Sequence, residues 1–133
     1  MIKQLLILSG FLISFPLFSQ ESEPMIRIAE IEINPAYIQS YHKILMEEAN
    51  ASLKLESGVL SIFPMYYASD STKIRILEIY ADKNAYLSHL KTPHFLKYKN
   101  ETQNMVMSLN LVDVKAIDPK MMHLIFTKTA HKQ

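Results

Sequence analysis

The sequence contains no cysteine, and this absence excludes several kinds of chemistry at once. Without thiols the chain has no disulfides, no thiolate nucleophile and no cysteine-ligated metal. Acylation of a lipoprotein cysteine is excluded for the same reason. A chain of 133 residues without disulfides must be stabilised by its hydrophobic core or by a partner subunit.

Tryptophan is absent, glycine is scarce, and neither sign of charge is in clear excess. Two glycines in the whole chain predict regular elements joined by short connections rather than a loop-rich scaffold. Without residues 1–19, which hold Lys3 and no acid, 13 of the 14 basic residues remain against 13 acidic ones. A chain with zero formal charge and no basic cluster is not expected to bind nucleic acid.

Residues 1–19 have the layout of a bacterial secretory signal peptide. Lys3 is followed by an apolar run from residue 5 to 18, which is shorter than the ~20 residues that a spanning helix needs. We expect cleavage after Ser19, no membrane attachment afterwards, and a periplasmic or secreted mature protein. A retained anchor is the alternative.

The rest of the chain alternates between strand and helix patterns. Strands are predicted at residues 25–33, 59–68, 73–80 and 109–117, and helices at residues 35–55, 82–90 and 93–108. Asn34-Pro35, Asp82 and Thr92-Pro93 are helix-start signals. The order strand, helix, strand, strand, helix, strand predicts a ferredoxin-like α+β fold, a four-stranded antiparallel sheet with helices on one face.

Three further features carry specific expectations. Pro64 within the second strand requires an edge position or a bulge. Gly58 after the first helix is expected to adopt positive φ, and Glu48 is expected on the outer side of that helix. Residues 118–133 form a tail, in which residues 121–127 are apolar enough for a fifth strand.

Chemistry is most concentrated between Glu78 and Phe95. His94 is predicted in the first turn of a helix, where the dipole disfavours imidazolium and favours a neutral base. His89 lies on the helix face that looks toward the sheet, and Glu78 lies on an apolar strand face, where a carboxylate needs a partner. These three are the candidate catalytic residues, with Glu78 orienting a histidine. Core packing satisfied by hydrogen bonds is the alternative for each.

The candidate substrate-binding residues are Tyr80, Tyr66, Tyr67 and Arg27. The tyrosines would hydrogen-bond a phenolic oxygen and the arginine would steady an anion, although strand tyrosines often only pack and a lone arginine often forms a surface ion pair. No metal site is predicted, because no histidine pair has zinc spacing with a supporting carboxylate.

The motifs at residues 27–31, 34–35, 56–59, 78–82 and 89–95 resemble the antibiotic biosynthesis monooxygenase superfamily, in particular its small quinol monooxygenases. The resemblance covers residues 25–117, and the segment from His89 to Phe95 is its most specific part. It implies a homodimeric α+β barrel that uses no cofactor and oxidises a small aromatic or quinol-like substrate with dioxygen.

The same resemblance leaves function less defined than fold. Some relatives isomerise small metabolites, and others degrade haem with a tryptophan that this chain lacks. The leading hypothesis is a cofactor-free monooxygenase with His94 or His89 as the base. The alternatives are a non-catalytic dimeric protein that binds a small ligand, and an isomerase of a small metabolite.

Overall fold

Residues 23–130 are described by a computed structural model, apart from the side chain of Thr129. The strands are β1 (Met25–Ile33), β2 (Val59–Tyr67), β3 (Asp70–Tyr80) and β4 (Val106–Val114). The helices are α1 (Ile38–Leu55, after a 3-10 turn at Pro35–Tyr37), α2 (Lys83–His89), α3 (Pro93–Thr102) and α4 (Lys120–Ala130). The predicted signal peptide lies outside the described residues and stays a prediction. No helix within residues 23–130 is long and apolar enough to cross a membrane.

The four strands form one antiparallel sheet in the order β2-β3-β1-β4. This topology confirms the predicted ferredoxin-like α+β fold. β1 is central, and its register places Arg27 opposite Glu78 on β3 and opposite Asp113 on β4. Three charged side chains from three strands therefore meet on one row of the sheet.

Alternation along the strands sends one face of the sheet into the core, as a strand period of two requires. On β1, Ala29, Ile31 and Ile33 are buried, while Glu32 between the last two is exposed. The buried stripe of α1 packs on this face. The core contains Ala29, Ile31, Ile33, Tyr41, Leu45, Ala49, Val59, Ile62, Ile74, Ile76 and Tyr80.

Helix starts follow the predicted capping residues. The Asp82 carboxylate accepts a hydrogen bond from the Ala85 amide at 2.7 Å, and the Thr92 hydroxyl accepts one from the Phe95 amide at 3.3 Å. Each side chain satisfies an amide that has no partner within its helix. These two caps fix where α2 and α3 begin and therefore where the two histidines lie.

The tail is a helix, so the expectation of a fifth strand at residues 121–127 is wrong. The Asp118 carboxylate accepts a hydrogen bond from the Lys120 amide at 3.0 Å, and Pro119 immediately precedes α4. An acidic cap followed by proline is the same helix-start signal as at Thr92-Pro93. The apolar residues of the tail therefore repeat along a helix rather than along a strand.

α3 is shorter than predicted, and β4 is shifted toward the N-terminus. The helix ends at Thr102 rather than near residue 108, and the strand runs from Val106 to Val114. The amide of Met105 donates to the Thr102 carbonyl at 2.8 Å, and the Met105 carbonyl accepts from Asn34 at 2.9 Å. This turn directs Val106 toward Ile33 on β1, so pairing with the sheet outweighs the local helical pattern.

β2 satisfies the constraint set by Pro64. The strand lies at the edge of the sheet, and its register with β3 shifts between Val59 and Ser61 and again between Tyr66 and Tyr67. On an edge strand, proline can occupy a position where its backbone nitrogen, which carries no hydrogen, faces away from the neighbouring strand. The predicted edge-or-bulge position of Pro64 is confirmed.

One apolar row crosses the other face of the sheet. Phe63 pairs with Leu77, Leu77 with Ile28, and Ile28 with Val112, so the row spans all four strands. Phe63 is 58% exposed and Val112 is 36% exposed. Both residues are therefore open to solvent in the described chain, and a contiguous apolar patch of this kind marks an interaction surface.

Gly58 does not have positive φ, which corrects the sequence expectation. Its importance is steric, since a Cβ at this position would lie 2.6 Å from the Cβ of Ala85 on α2. Ala85 also belongs to the margin of the core. Glycine at position 58 therefore lets α2, the helix that ends at His89, approach the start of β2.

We predict that Gly58→Ala lowers the free energy of unfolding by about 1–3 kcal/mol, the usual cost of overpacking. The measurement is urea unfolding, with the exposed Ser57→Ala as the control variant. Adding Ala85→Gly, which alone costs ~1 kcal/mol of helix propensity, removes the steric conflict and should recover most of the Gly58→Ala loss. Strictly additive losses in the double variant would contradict this account.

Candidate active site

A cavity of about 510 Å³ lies between the inner face of the sheet and the helices. Its size falls within the range of small-molecule sites. Most of its wall is apolar, and the polar groups converge from several elements. The polar and aromatic lining residues are Arg27, Glu48, Glu78, Tyr80, Tyr86, His89, Phe95, Tyr98, Lys99, Thr102 and Gln103.

His89 is the histidine that reaches this cavity. It is the last residue of α2 and is only 3% exposed. Its Nδ1 lies 3.0 Å from Oε1 of Glu56, and its Nε2 lies 3.7 Å from Oε1 of Glu48, which is too long for a direct hydrogen bond. With the carboxylate of Glu56 as acceptor, neutral His89 carries its proton on Nδ1 and keeps a lone pair on Nε2.

His94 lies behind His89 rather than on the wall of the cavity. It occupies the first turn of α3, as predicted, and its Nε2 lies 2.5 Å from the same oxygen of Glu56. Both imidazoles therefore donate to one carboxylate oxygen. This placement makes His89 the candidate base and makes His94 a residue that acts through Glu56.

Glu56 is the shared anchor of the two histidines. Burial alone would raise the pKa of the Glu56 carboxyl, but hydrogen bonds from His94 and His89 outweigh it and hold the pKa below its usual value. The group is therefore an anion near neutral pH and accepts both N–H donors. It immediately follows α1, so it connects that helix to the junction of α2 and α3.

Glu48 is buried on the inner face of α1, so its expected place on the outer side is wrong. Glu48 is 5% exposed, and its carboxylate accepts a hydrogen bond from the Ser52 hydroxyl at 2.6 Å. Burial raises the pKa of the Glu48 carboxyl, although the bond from Ser52 and the nearby histidines oppose the shift. The inner stripe of α1 thus includes two polar residues that form their own pair.

Glu78 does not orient a histidine, contrary to expectation. Its carboxylate accepts a hydrogen bond from the Tyr80 hydroxyl at 3.1 Å and lines the cavity. Burial raises the pKa of the Glu78 carboxyl, and the opposing effects of Tyr80, His89 and Arg27 do not cancel it. The orienting carboxylate that the sequence assigned to Glu78 is supplied by Glu56 instead.

Two of the three predicted wall tyrosines lie elsewhere. Tyr66 is 59% exposed and stacks on His42 with 5.5 Å between ring centroids, and Tyr67 is 48% exposed beneath the guanidinium of Arg75. Both lie near the β2–β3 turn, at the end of these strands remote from Glu78. Tyr80 does line the cavity, as predicted.

Aromatic residues of α2 and α3 complete the wall in place of Tyr66 and Tyr67. Tyr86, Phe95 and Tyr98 line the cavity, and the Tyr98 hydroxyl shares a 2.7 Å hydrogen bond with Tyr41. Burial raises the pKa of Tyr98 to about 12, so this hydroxyl stays protonated in the physiological range. These residues were not singled out because the sequence assigned them to general helix packing.

Arg27 also lines the cavity, and its charge is already paired. Its Nε and Nη2 each lie 2.7 Å from Oδ1 of Asp113, and its guanidinium lies 4.5 Å from the centre of the Tyr86 ring. Burial alone would lower the pKa of Arg27. Asp113 and Tyr86 together outweigh burial and raise this pKa above its usual value. The cavity therefore has one fixed cation at its sheet side, balanced by an exposed acid.

The arrangement contains what a proton abstraction needs. A buried imidazole lines a mostly apolar cavity, an anion fixes the orientation of its ring, and carboxylate acceptors lie nearby. Glu48 and Glu56 are the functional residues that sequence reasoning missed. Glu56 stands in a motif that was recognised, but its role depends on contacts with residues more than 30 positions away.

Comparison with known proteins agrees with this fold. The family model described as antibiotic biosynthesis monooxygenase matches residues 24–101, more than half of the chain. The chain belongs to the antibiotic biosynthesis monooxygenase family. This membership confirms the resemblance drawn from the sequence motifs. Comparison with curated proteins gives no significant match.

Several solved structures have the same fold. A Bacteroides thetaiotaomicron protein, provisionally named an antibiotic biosynthesis monooxygenase, is 41% identical over 73% of this chain and 92% of its own, with a TM-score of 0.72. A Lactobacillus acidophilus protein, provisionally named a monooxygenase, is 24% identical over 71% of this chain and 45% of its own, with a TM-score of 0.69. A Pseudomonas aeruginosa protein is 21% identical over 74% and 98%, with a TM-score of 0.68. The last two likenesses support the fold alone.

We predict that Glu56→Gln lowers the free energy of unfolding at pH 7 by about 1–3 kcal/mol, the range for lost hydrogen bonds to a charged group. The Glu56 pKa in the folded state lies below its unfolded value of 4.5. The carboxylate therefore stabilises the fold above pH 4.5, and this contribution disappears as the pH falls through the folded pKa.

The measurement is urea unfolding of wild type and Glu56→Gln at pH 7 and at pH 3. The control is Glu47→Gln, since Glu47 forms only an exposed ion pair with Lys97. The difference between wild type and Glu56→Gln should shrink at pH 3. A difference of the same size at both pH values would contradict the charged anchor.

Proposed function

We propose that this protein is a monooxygenase that oxidises a quinol or another phenol with dioxygen, without an organic cofactor or a metal. Membership of the monooxygenase family supports the reaction class. The observation that carries the proposal is His89, a buried histidine that lines a mostly apolar cavity and whose Nδ1 is held by a carboxylate.

His89 is the proposed general base. Glu56 accepts a hydrogen bond from the Nδ1–H of His89, which fixes the tautomer that leaves the lone pair on Nε2. The shared bond to His94 keeps the Glu56 oxygen in place. A phenolic hydroxyl placed near Nε2 loses its proton to His89, and the cavity then holds an electron-rich phenolate.

The reaction balances with the substrate as the only reductant. The phenolate passes one electron to dioxygen, and the resulting radical pair combines into a peroxide anion at a ring carbon that bears hydrogen. His89 returns its proton to this anion, which gives a hydroperoxide and restores the neutral base. Loss of water breaks the O–O bond and leaves a carbonyl at that carbon. One oxygen atom enters the product and the other leaves as water, so the substrate supplies all four electrons and becomes a quinone.

The walls of the cavity suit such a substrate. Ile31, Leu45 and Phe95 provide apolar surface that excludes water. Tyr80 lies beside Glu78, which is a buried acceptor for a second hydroxyl of a quinol. A volume of about 510 Å³ accommodates a small aromatic molecule.

The two alternatives are supported less well. Histidines that hydrogen-bond to backbone groups would favour a protein that binds a ligand without catalysis. Instead, the described hydrogen bonds of the His89 and His94 ring nitrogens go to the carboxylate of Glu56. An isomerase of a phosphorylated metabolite needs several uncompensated positive charges at the site, whereas the cations of the described lining are Arg27, which is paired with Asp113, and Lys99. A base held by an anion favours an enzyme of the oxygenase class.

The direct test is oxygen uptake with a reduced naphthoquinol under air. We predict that His89→Ala lowers kcat by roughly 100-fold or more, as expected for loss of a general base. His94→Ala should have a smaller effect, because His94 acts through Glu56. The control is His123→Ala on α4, outside the lining of the cavity.

Two outcomes would overturn the oxygenase proposal for this substrate class. One is wild-type uptake no faster than buffer alone. The other is an equal rate in wild type and His89→Ala, provided that circular dichroism shows both variants folded.

We further propose that the protein is a homodimer that buries the apolar row of Ile28, Phe63, Leu77 and Val112. Covering this row removes apolar surface from water on the face that the helices leave open. Analytical ultracentrifugation should give about twice the mass of one chain for wild type. Phe63→Glu should shift the protein toward monomer.

The matched control for this test is Leu55→Glu, which changes a 74% exposed leucine at the end of α1. This variant should stay dimeric, since Leu55 is not part of the row. A wild-type monomer at micromolar concentration would contradict the dimer, as would an unchanged mass for Phe63→Glu.

A further inference from the structure

We propose that Glu48, His89 and His94, with Glu56 beside both histidines, form a binding site for one divalent transition-metal ion. The sequence predicted no metal site, because the two glutamates come from α1 and its end while the two histidines come from α2 and α3. The four side chains meet only in the folded protein. Binding at this site does not depend on the proposed oxygenase activity.

The geometry brings suitable atoms together. Glu48, His89 and His94 each offer one ligand atom, and these three atoms lie within 4.8 Å of one another. Oε1 of Glu56 lies 3.0 Å from His89 Nδ1 and 2.5 Å from His94 Nε2. Ligand atoms bound at 2.0–2.2 Å to one ion lie roughly 3–3.6 Å apart, so the three ligand atoms of Glu48, His89 and His94 need to approach one another by about an ångström.

The charge of the cluster favours a cation. Within residues 23–130, Glu48 and Glu56 form ion pairs only with His89 and His94, and neither pairs with a lysine or an arginine. Two carboxylates at these positions need compensating positive charge. A bound divalent ion supplies that charge at the centre of the cluster.

The ligand types select the class of metal. Imidazole together with carboxylate suits Zn²⁺, Co²⁺ and Fe²⁺, whereas Mg²⁺ and Ca²⁺ prefer oxygen ligands alone. Glu48, His89 and His94 all lie on helices, so the cluster is held on regular elements. Of these, Glu48 and His89 also line the cavity, which gives the ion an open side for water or a small ligand.

Occupation of the site has a consequence for catalysis that rests on the proposed function. A metal bound to His89 removes the imidazole from proton transfer, either by taking its lone pair or by drawing the ring away from the substrate. Zn²⁺ has no redox chemistry of its own. Zinc binding is therefore expected to inhibit the oxygenase rather than to support it.

The test is isothermal titration calorimetry of the tag-free, chelator-treated protein with Zn²⁺ at pH 7. We expect one ion per chain. Metal binding releases protons from the cluster, so the measured heat should depend on the ionisation enthalpy of the buffer. His94→Gln and Glu48→Gln should each weaken zinc binding by roughly 10- to 100-fold or more. Loss of a residue that only supports a metal ligand already weakens binding by about that factor, and loss of a ligand should cost at least as much.

His94→Gln is the decisive variant because its amide can still donate to Glu56, so the fold is preserved. The control is His123→Ala, which removes an imidazole from α4 and should bind zinc as wild type does. Titration with Co²⁺, followed by its visible absorption, reports the nitrogen and oxygen ligands directly. No binding at millimolar Zn²⁺, or undiminished binding in both cluster variants, would overturn the site.

Oxygen uptake with and without equimolar Zn²⁺ separates the two proposals. Inhibition that a chelator reverses supports the coupling between metal and base. Full turnover with zinc bound would overturn the inhibitory effect while leaving the site intact. Zinc binding in a protein that shows no oxygen uptake would contradict the proposed function and not the metal site.

Discussion

The site depends on one carboxylate oxygen, Oε1 of Glu56, which accepts hydrogen bonds from both His89 and His94. Glu56 follows α1, His89 ends α2 and His94 begins α3, so this oxygen connects three helices at one point. It also determines which nitrogen of His89 carries a proton. The position and the chemical state of the candidate base therefore follow from a single shared interaction.

The sheet supplies the opposite side of the site at a cost to stability. Glu78 and Tyr80 project from β3 into an apolar cavity, where burial raises the pKa of both side chains. A packed aliphatic pair at these positions would stabilise the core more, since buried polar groups carry a desolvation penalty. Retaining the polar pair beside His89 is consistent with an environment shaped for chemistry rather than for packing alone.

The fold was predictable from local sequence signals, whereas the candidate site was predictable only in part. Strand alternation and the caps at Asp82 and Thr92 gave the order of elements, and the same type of cap at Asp118 shows that α4 was predictable but overlooked. The roles of Glu48 and Glu56 were not predictable, because they arise from contacts across distant parts of the chain. Family resemblance located the histidines but did not identify their partner.

The central claim is that Glu56 holds neutral His89 with its proton on Nδ1 and its lone pair on Nε2. Long-range ¹H–¹⁵N correlation NMR of histidine side chains measures this directly, at a pH where His89 is neutral. The account predicts the tautomer with the proton on Nδ1 in wild type and loss of that preference in Glu56→Gln. A neutral His89 with its proton on Nε2 in the wild-type protein would contradict the account.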